Sequence, residues 1–285
     1  MIIDLRYHIA SLVAVFLALG LGILIGSSLL SDEQLYQQQK KLVDRLEGDL
    51  AGLRQDKRKL EGDKEQLQTE LKREQQFNQA ALPLLIRDKL AGQRVAIIQV
   101  TNTTVSSDVS TLVSCLRQAG AEVFSTTSIL RYSGKEDELA AALSQEEGSF
   151  DKMIQFLAQS LALGLGKDRL TPLEELGYLR LSGEYARPVQ TVILFVGNVT
   201  APKEVTASVL QACLEYQLHV AAVENSTAPT SSLTDKGILL VDNIDQPSGK
   251  VALVYALATA GVGHFGIKEG AQAFLPDLGK QEQIK

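Results

Sequence analysis

The sequence predicts an α/β protein in three parts: a transmembrane helix, a coiled coil, and a Rossmann-like domain built on an open, mostly parallel sheet. Three observations carry this expectation. Ile9 to Leu30 contains no charged side chain, and at about 1.5 Å of rise per residue it reaches roughly 33 Å, enough to cross a bilayer core. From Ser31 the chain turns polar, with leucines at heptad spacing. Beyond Arg94, short β-branched apolar runs alternate with amphipathic stretches, the pattern of parallel strands covered by helices. The predicted division is 1–30 for tail and anchor, 31–82 for the coiled-coil spacer, 83–93 for a linker, and 94–285 for the α/β domain with its Gly-rich tail.

The anchor comes first. A cleaved signal peptide is the alternative, but its apolar region is usually about 7 to 15 residues and ends at small residues; here Ile23, Leu24 and Ile25 precede Gly26. Ala10, Ala14, Ala18, Gly22 and Gly26 recur every four residues, and of these Ala14, Ala18, Gly22 and Gly26 form a small-residue face suited to a parallel helix pair. Small residues that merely face lipid are the competing reading. Asp4, Arg6, Tyr7 and His8 fall at the membrane interface, where Arg and Tyr serve as anchors or as contacts for a partner. Lys and Arg flank both ends of the span, so the charge count leaves orientation open. A short inside tail and a long translocated domain make the simpler topology. The expected location is the cell membrane, single-pass, with the C-terminal domain extracytoplasmic.

Charge and composition narrow the partners. A formal net charge of -6 and the absence of a concentrated basic face argue against nucleic acid. Two cysteines are too few for a disulfide framework, and Cys115 and Cys213 each sit in apolar stretches, as small buried hydrophobes do.

In the spacer, Val43, Leu50, Lys57, Lys64 and Leu71 take heptad position a, and Leu46, Leu53, Leu60 and Leu67 take d. The expected seam is Leu46, Leu50, Leu53, Leu60 and Leu67. In a parallel homodimer Lys57 and Lys64 meet Asp56 and Asp63 of the other strand. Gly48, Gly52 and Gly62 fall outside the seam and weaken the helix by about 1 kcal/mol each relative to Ala. A solvated single helix is the alternative. Pro83 is expected to end the segment, because its ring removes a donor.

Val95 to Val100 reads as a buried strand, followed by a helix capped near Ser107 and Asp108 and a strand from Glu122 to Thr127. Helices are expected near 135–143 and 150–163, then an irregular stretch holding Gly164, Gly166 and Pro172. Val189–Val196, His219–Val223 and Ile238–Val241 read as strands, with helices over 203–217 and 250–260. The tail from Gly261 reads as loop.

No catalytic motif stands in its required context. Gly261-Val-Gly263-His-Phe-Gly266 follows a helix rather than opening one, so it fails as a dinucleotide fingerprint. An enzyme is not expected, and no cofactor is identified. Soft metal donors are few: Cys115, Cys213, His219 and His264 are the weak candidates, and they form no spaced cluster. Asp242 and Asp245 could bind a hard cation, although acids just past a strand more often make turns. Asp242, Asn243, Asp245, Gly263, His264 and Gly266 are the expected contact surface for a partner, on the strength of their loop positions.

Ile3 to His8 running into Ser11 to Gly20, Leu90 to Ala96, Val241 to Pro247, Gly249 to Val254, and Gly263 to Gly266 followed by Leu275-Pro276 together resemble the MctB family, named for the mycobacterial copper transport protein. The resemblance implies an anchored envelope protein with a coiled coil and an α/β domain. It further implies participation in copper efflux and homeostasis, including a pore role in mycobacteria, and copper enters only by this route. A related corynebacterial branch implies a division-associated envelope protein that regulates a peptidoglycan hydrolase, and the residues themselves give the alternative, a dimeric coiled-coil envelope scaffold that recruits or activates such a partner. One apolar span has no polar lining and is not a channel by itself.

Overall fold

The structure, a computed structural model, describes residues 5–101, 107–132, 136–143, 148–196, 203–229, 233 and 237–279. The chain divides into two compact units, Met1–Glu74 and Gln75–Lys285. The first unit is a run of helix α1, which extends over Leu5–Ile86. Its segment Arg6–Ser27 is long and apolar enough to cross a membrane. The side chains described from Arg6 to Glu74 are exposed.

Proline does not end α1 as expected. The helix continues past Pro83 to Ile86, because the last turn is held from outside. Ile86 is buried and Leu82 packs against the same core, while the Tyr255 hydroxyl donates to the Leu85 carbonyl at 3.3 Å. A ring inside a helix costs about 3 kcal/mol or more, and burial of such side chains recovers a comparable amount.

The second unit is a seven-stranded sheet with helices on both faces. Its strands are β1 (Arg94–Val100), β2 (Glu122–Ile129), β3 (Leu179–Gly183), β4 (Thr191–Phe195), β5 (His219–Val223), β6 (Leu239–Val241) and β7 (Gly263–Phe265), in the order β3-β2-β1-β4-β5-β6-β7. Every pairing is parallel except β2 with β3. Strands buried on two sides need apolar residues at every position, which is why β4 and β5 are nearly uniform runs. One face is covered by α4 (Phe150–Leu163) and α6 (Lys203–Glu215), the other by α2 (Ser107–Gln118) and α7 (Pro247–Ala258). Two short helices, α3 (Glu136–Leu143) and α5 (Thr171–Glu175), add Leu139, Leu143 and Leu173 to the first face.

Local sequence sets the ends of these helices. Ser149 caps α4 by accepting from the Lys152 N–H at 3.2 Å. Gly164 closes it in the left-handed region at φ 67, where an added Cβ would also run into the backbone of Arg187 and Pro188.

Three expectations for 164 onward are corrected. The stretch read as irregular contains α5, which starts with Pro172 in its first turn, and β3, which pairs antiparallel with β2. The tail read as loop contributes β7, parallel to β6. Helix α7 begins at Pro247, three residues earlier than expected. In β3 and β7 the local signal is masked by Gly177, Gly183, Gly263 and Gly266, and pairing with a formed neighbour supplies what propensity does not.

Glycine substitutions separate the two units. An added Cβ at Gly249 would overlap the Asn243 backbone, whereas at Gly52 it meets nothing within 4 Å. Gly249→Ala is expected to destabilise the domain by about 1–3 kcal/mol. Gly52→Ala is expected to raise helix stability by up to about 1 kcal/mol. Urea titration followed by tyrosine signals reads the first, and thermal melting by circular dichroism the second.

Candidate functional site

Parallel strands deliver their carboxyl ends to one edge of the sheet, and two of them end in an acid followed by asparagine. Glu224 and Asn225 follow β5; Asp242 and Asn243 follow β6. The Glu224 backbone N–H donates to the Val241 carbonyl at 2.8 Å. The neighbouring chain end adds His264 from β7 and Lys268 from the turn beyond it.

Asp242 is the centre of this cluster and is fully buried. Its Oδ2 lies 2.7 Å from His264 Nε2 and accepts the Lys268 N–H at 3.0 Å, while Oδ1 accepts the Ile267 N–H at 2.8 Å. Gly266 makes this approach feasible. It sits at φ 140, and an added Cβ would overlap the Asp242 carboxylate. Lys268 Nζ then reaches back to Glu224 Oε2 at 2.7 Å, with side-chain exposures of 8% and 1%. Glu224 Oε1 and His264 Nδ1 are buried without a hydrogen-bond partner among the described residues.

The expected contact surface is therefore mostly interior. Asp242, Asn243 and His264 are buried, so they hold the tail rather than face a partner. Asn243 donates to the Ser248 hydroxyl at 3.1 Å at the start of α7. Gly263, at φ 131, begins β7. Asp245 alone is exposed, and its two oxygens accept from the Ser226 N–H and hydroxyl, each at 2.6 Å. That is turn chemistry, with both oxygens committed within the protein. The sequence reading missed Glu224 and Lys268. The paired acid-asparagine endings of β5 and β6 were the available signal for Glu224, whereas only the turn after β7 brings Lys268 near.

The four metal candidates do not meet. Cys115 on α2 and Cys213 on α6 belong to the cores on opposite faces of the sheet. Burial pushes their thiols up to about 11 and about 12, although Lys250 draws the first back somewhat, so neither is a thiolate near neutrality. His219 starts β5, at the end of the strands opposite the Asp242 cluster, in a cleft of about 540 Å³ bordered by Lys89, Gln93, Thr191 and Leu257. No group of three His, Cys, Asp or Glu side chains converges among the described residues. As placed among the described residues, these four donors do not form a copper site.

On α1, Arg6, Tyr7 and His8 are exposed, and Asp4 lies outside the described residues. Ala14, Ala18, Gly22 and Gly26 share one side of the helix by their spacing, with open space at both glycines. Leu46, Leu50, Leu53, Leu60 and Leu67 are likewise exposed along the later part.

These features define a class: a doubly wound α/β domain carried on a long helix whose first part can cross a membrane. The chain belongs to the MctB family, described as copper transport outer membrane proteins, whose family model matches residues 2–276. No curated protein matches the chain.

Two outcomes follow from the buried groups. Removing either Glu224 or Lys268 leaves an unpaired buried charge, so Glu224→Leu or Lys268→Met alone is expected to cost about 3–5 kcal/mol, and the double variant much less. A urea double-mutant cycle measures this. Burial holds the His219 imidazole below its usual range. The unfolded chain therefore binds more protons as pH falls below its unperturbed value of about 6.5. Domain stability is expected to drop from there toward pH 5, and His219→Gln should flatten that part of the melting-temperature profile.

Proposed function

We propose that this chain takes part in copper homeostasis at the cell envelope as a single-pass membrane protein, with no enzymatic activity of its own. The observation that carries this reading is the family match over residues 2–276. The apolar segment Arg6–Ser27 supports the anchor, and the signal-anchor argument favours an extracytoplasmic α/β domain. Copper is cargo of the process here, rather than a group resident in this chain. The described thiols are buried and separated, and His264 is committed to Asp242.

A pore formed by one copy is disfavoured on the same grounds. The span presents apolar and small residues, so a single helix offers no polar path through hydrocarbon. Nor is the sheet a barrel wall. It is open, with β3 and β7 at its edges and helices over both faces. The chain would act beside the conducting element, or through an assembly of copies.

The test is copper tolerance and cell copper content in a strain lacking the chain. Loss of tolerance is expected, restored by the full chain and not by one lacking residues 1–30. A Cys115→Ala, Cys213→Ala, His219→Gln variant should restore it as well as the native chain does, and chelator-competed titration of the purified protein should show no tight Cu(I) binding. Unchanged tolerance and copper content in the deletion strain would overturn the reading.

A further inference from the structure

Beyond the apolar anchor segment, α1 carries an exposed stripe of leucines that nothing among the described residues covers. Leu46, Leu53, Leu60 and Leu67 are 58%, 65%, 68% and 65% exposed, and they recur every seven residues on one side of the helix. Between them lies a groove of about 330 Å³ bordered by Leu53, Asp56, Lys57, Leu60, Glu61 and Lys64. Its floor is leucine and its rim is charged. We propose that this stripe is the docking surface for a second copy of the same chain, aligned parallel and in register. The proposal does not rest on the copper reading.

Charge positions select both the occupant and its direction. With Leu46 at d, the g positions from Asp49 onward are Asp49, Asp56, Asp63 and Glu70, an unbroken acidic column. In an antiparallel pair g faces g, so that column would meet its own copy and repel. A parallel, in-register pair places each g residue beside the following a residue of the other strand. Asp56 then meets Lys57 of the second copy, and Asp63 meets Lys64. At the next layer, Asp49 at g faces Arg54 at e.

One pair opposes this register and is answered locally. Asp56 at g faces Glu61 at e of the second copy, a like-charge contact. Lys57, however, already lies 3.7 Å from its own Glu61, so the same ammonium group screens both carboxylates in the assembled pair. Buried in a seam, lysines at a are costly unless acids of the other strand meet them, and an identical parallel strand supplies those acids at Asp56 and Asp63. A partner helix of unrelated sequence would have to reproduce acids at that spacing.

Cysteine cross-linking in the full membrane-inserted chain tests this. Leu53→Cys lies at d, where parallel in-register strands bring equivalent Cβ atoms within disulfide reach, and Arg58→Cys lies at b on the outer side. Diamide is expected to convert Leu53→Cys to a covalent dimer at least ten-fold more efficiently than Arg58→Cys. Asp56→Lys with Asp63→Lys, added to Leu53→Cys, should lower the yield about ten-fold. Mixing that chain with one carrying Lys57→Asp, Lys64→Asp and Leu53→Cys should restore it as a heterodimer. Equal cross-linking at both positions, an adduct with another protein in place of the dimer, or no response to charge reversal would overturn the proposal. The charge variants change no seam leucine beyond the Leu53→Cys of the chain they are compared with, and helicity by circular dichroism is read alongside to exclude unfolding.

Discussion

Water must be kept from both faces of the central parallel strands, and the second unit is arranged around that requirement. The backbone groups of β1, β4, β5 and β6 are paired within the sheet, so what remains is to bury their side chains twice over. Two separate cores result, one beneath α4 and α6 and one beneath α2 and α7. The end of α1 belongs to this solution. Ile86 and Leu90 complete the second core, which explains why the helix persists through a proline that would end it in isolation.

The same requirement becomes harder to meet at the β7 edge. There a three-residue strand between glycines has little apolar surface to offer, and polar groups secure it instead. The Asp242 carboxylate accepts two backbone N–H groups and faces His264, while Lys268 reaches Glu224. Charged groups at this depth are costly unless each meets a partner. These groups fix where the tail lies, and Asp242 and His264, expected from the sequence in a contact surface, are a fastening in the fold.

Much of the α/β architecture was legible because its signals are local. Buried strands such as Ile193 to Phe195 are continuous apolar runs, and helices such as α2 show their buried face at Val109, Leu112 and Leu116. The candidate site was less legible. Asp242, His264 and Gly266 were picked out by position, but their burial was not, since loop position in sequence carries no depth. Lys268 was invisible, because its partner Glu224 is distant along the chain and meets it only through the turn after β7.

The sequence by itself determined the apolar span, the heptad stripe and the alternation of strands with helices, since each is a periodicity that a short window of chain contains. Tertiary structure decided the order of the sheet, the antiparallel β3, the strand at β7, the survival of α1 past Pro83, and the burial of the Asp242 cluster. Each of these depends on contacts between distant segments, whose free energy exists only once the partner element is in place. Local preference at Gly177, Gly183, Gly263 and Pro83 pointed the other way, and burial against a formed sheet outweighed it.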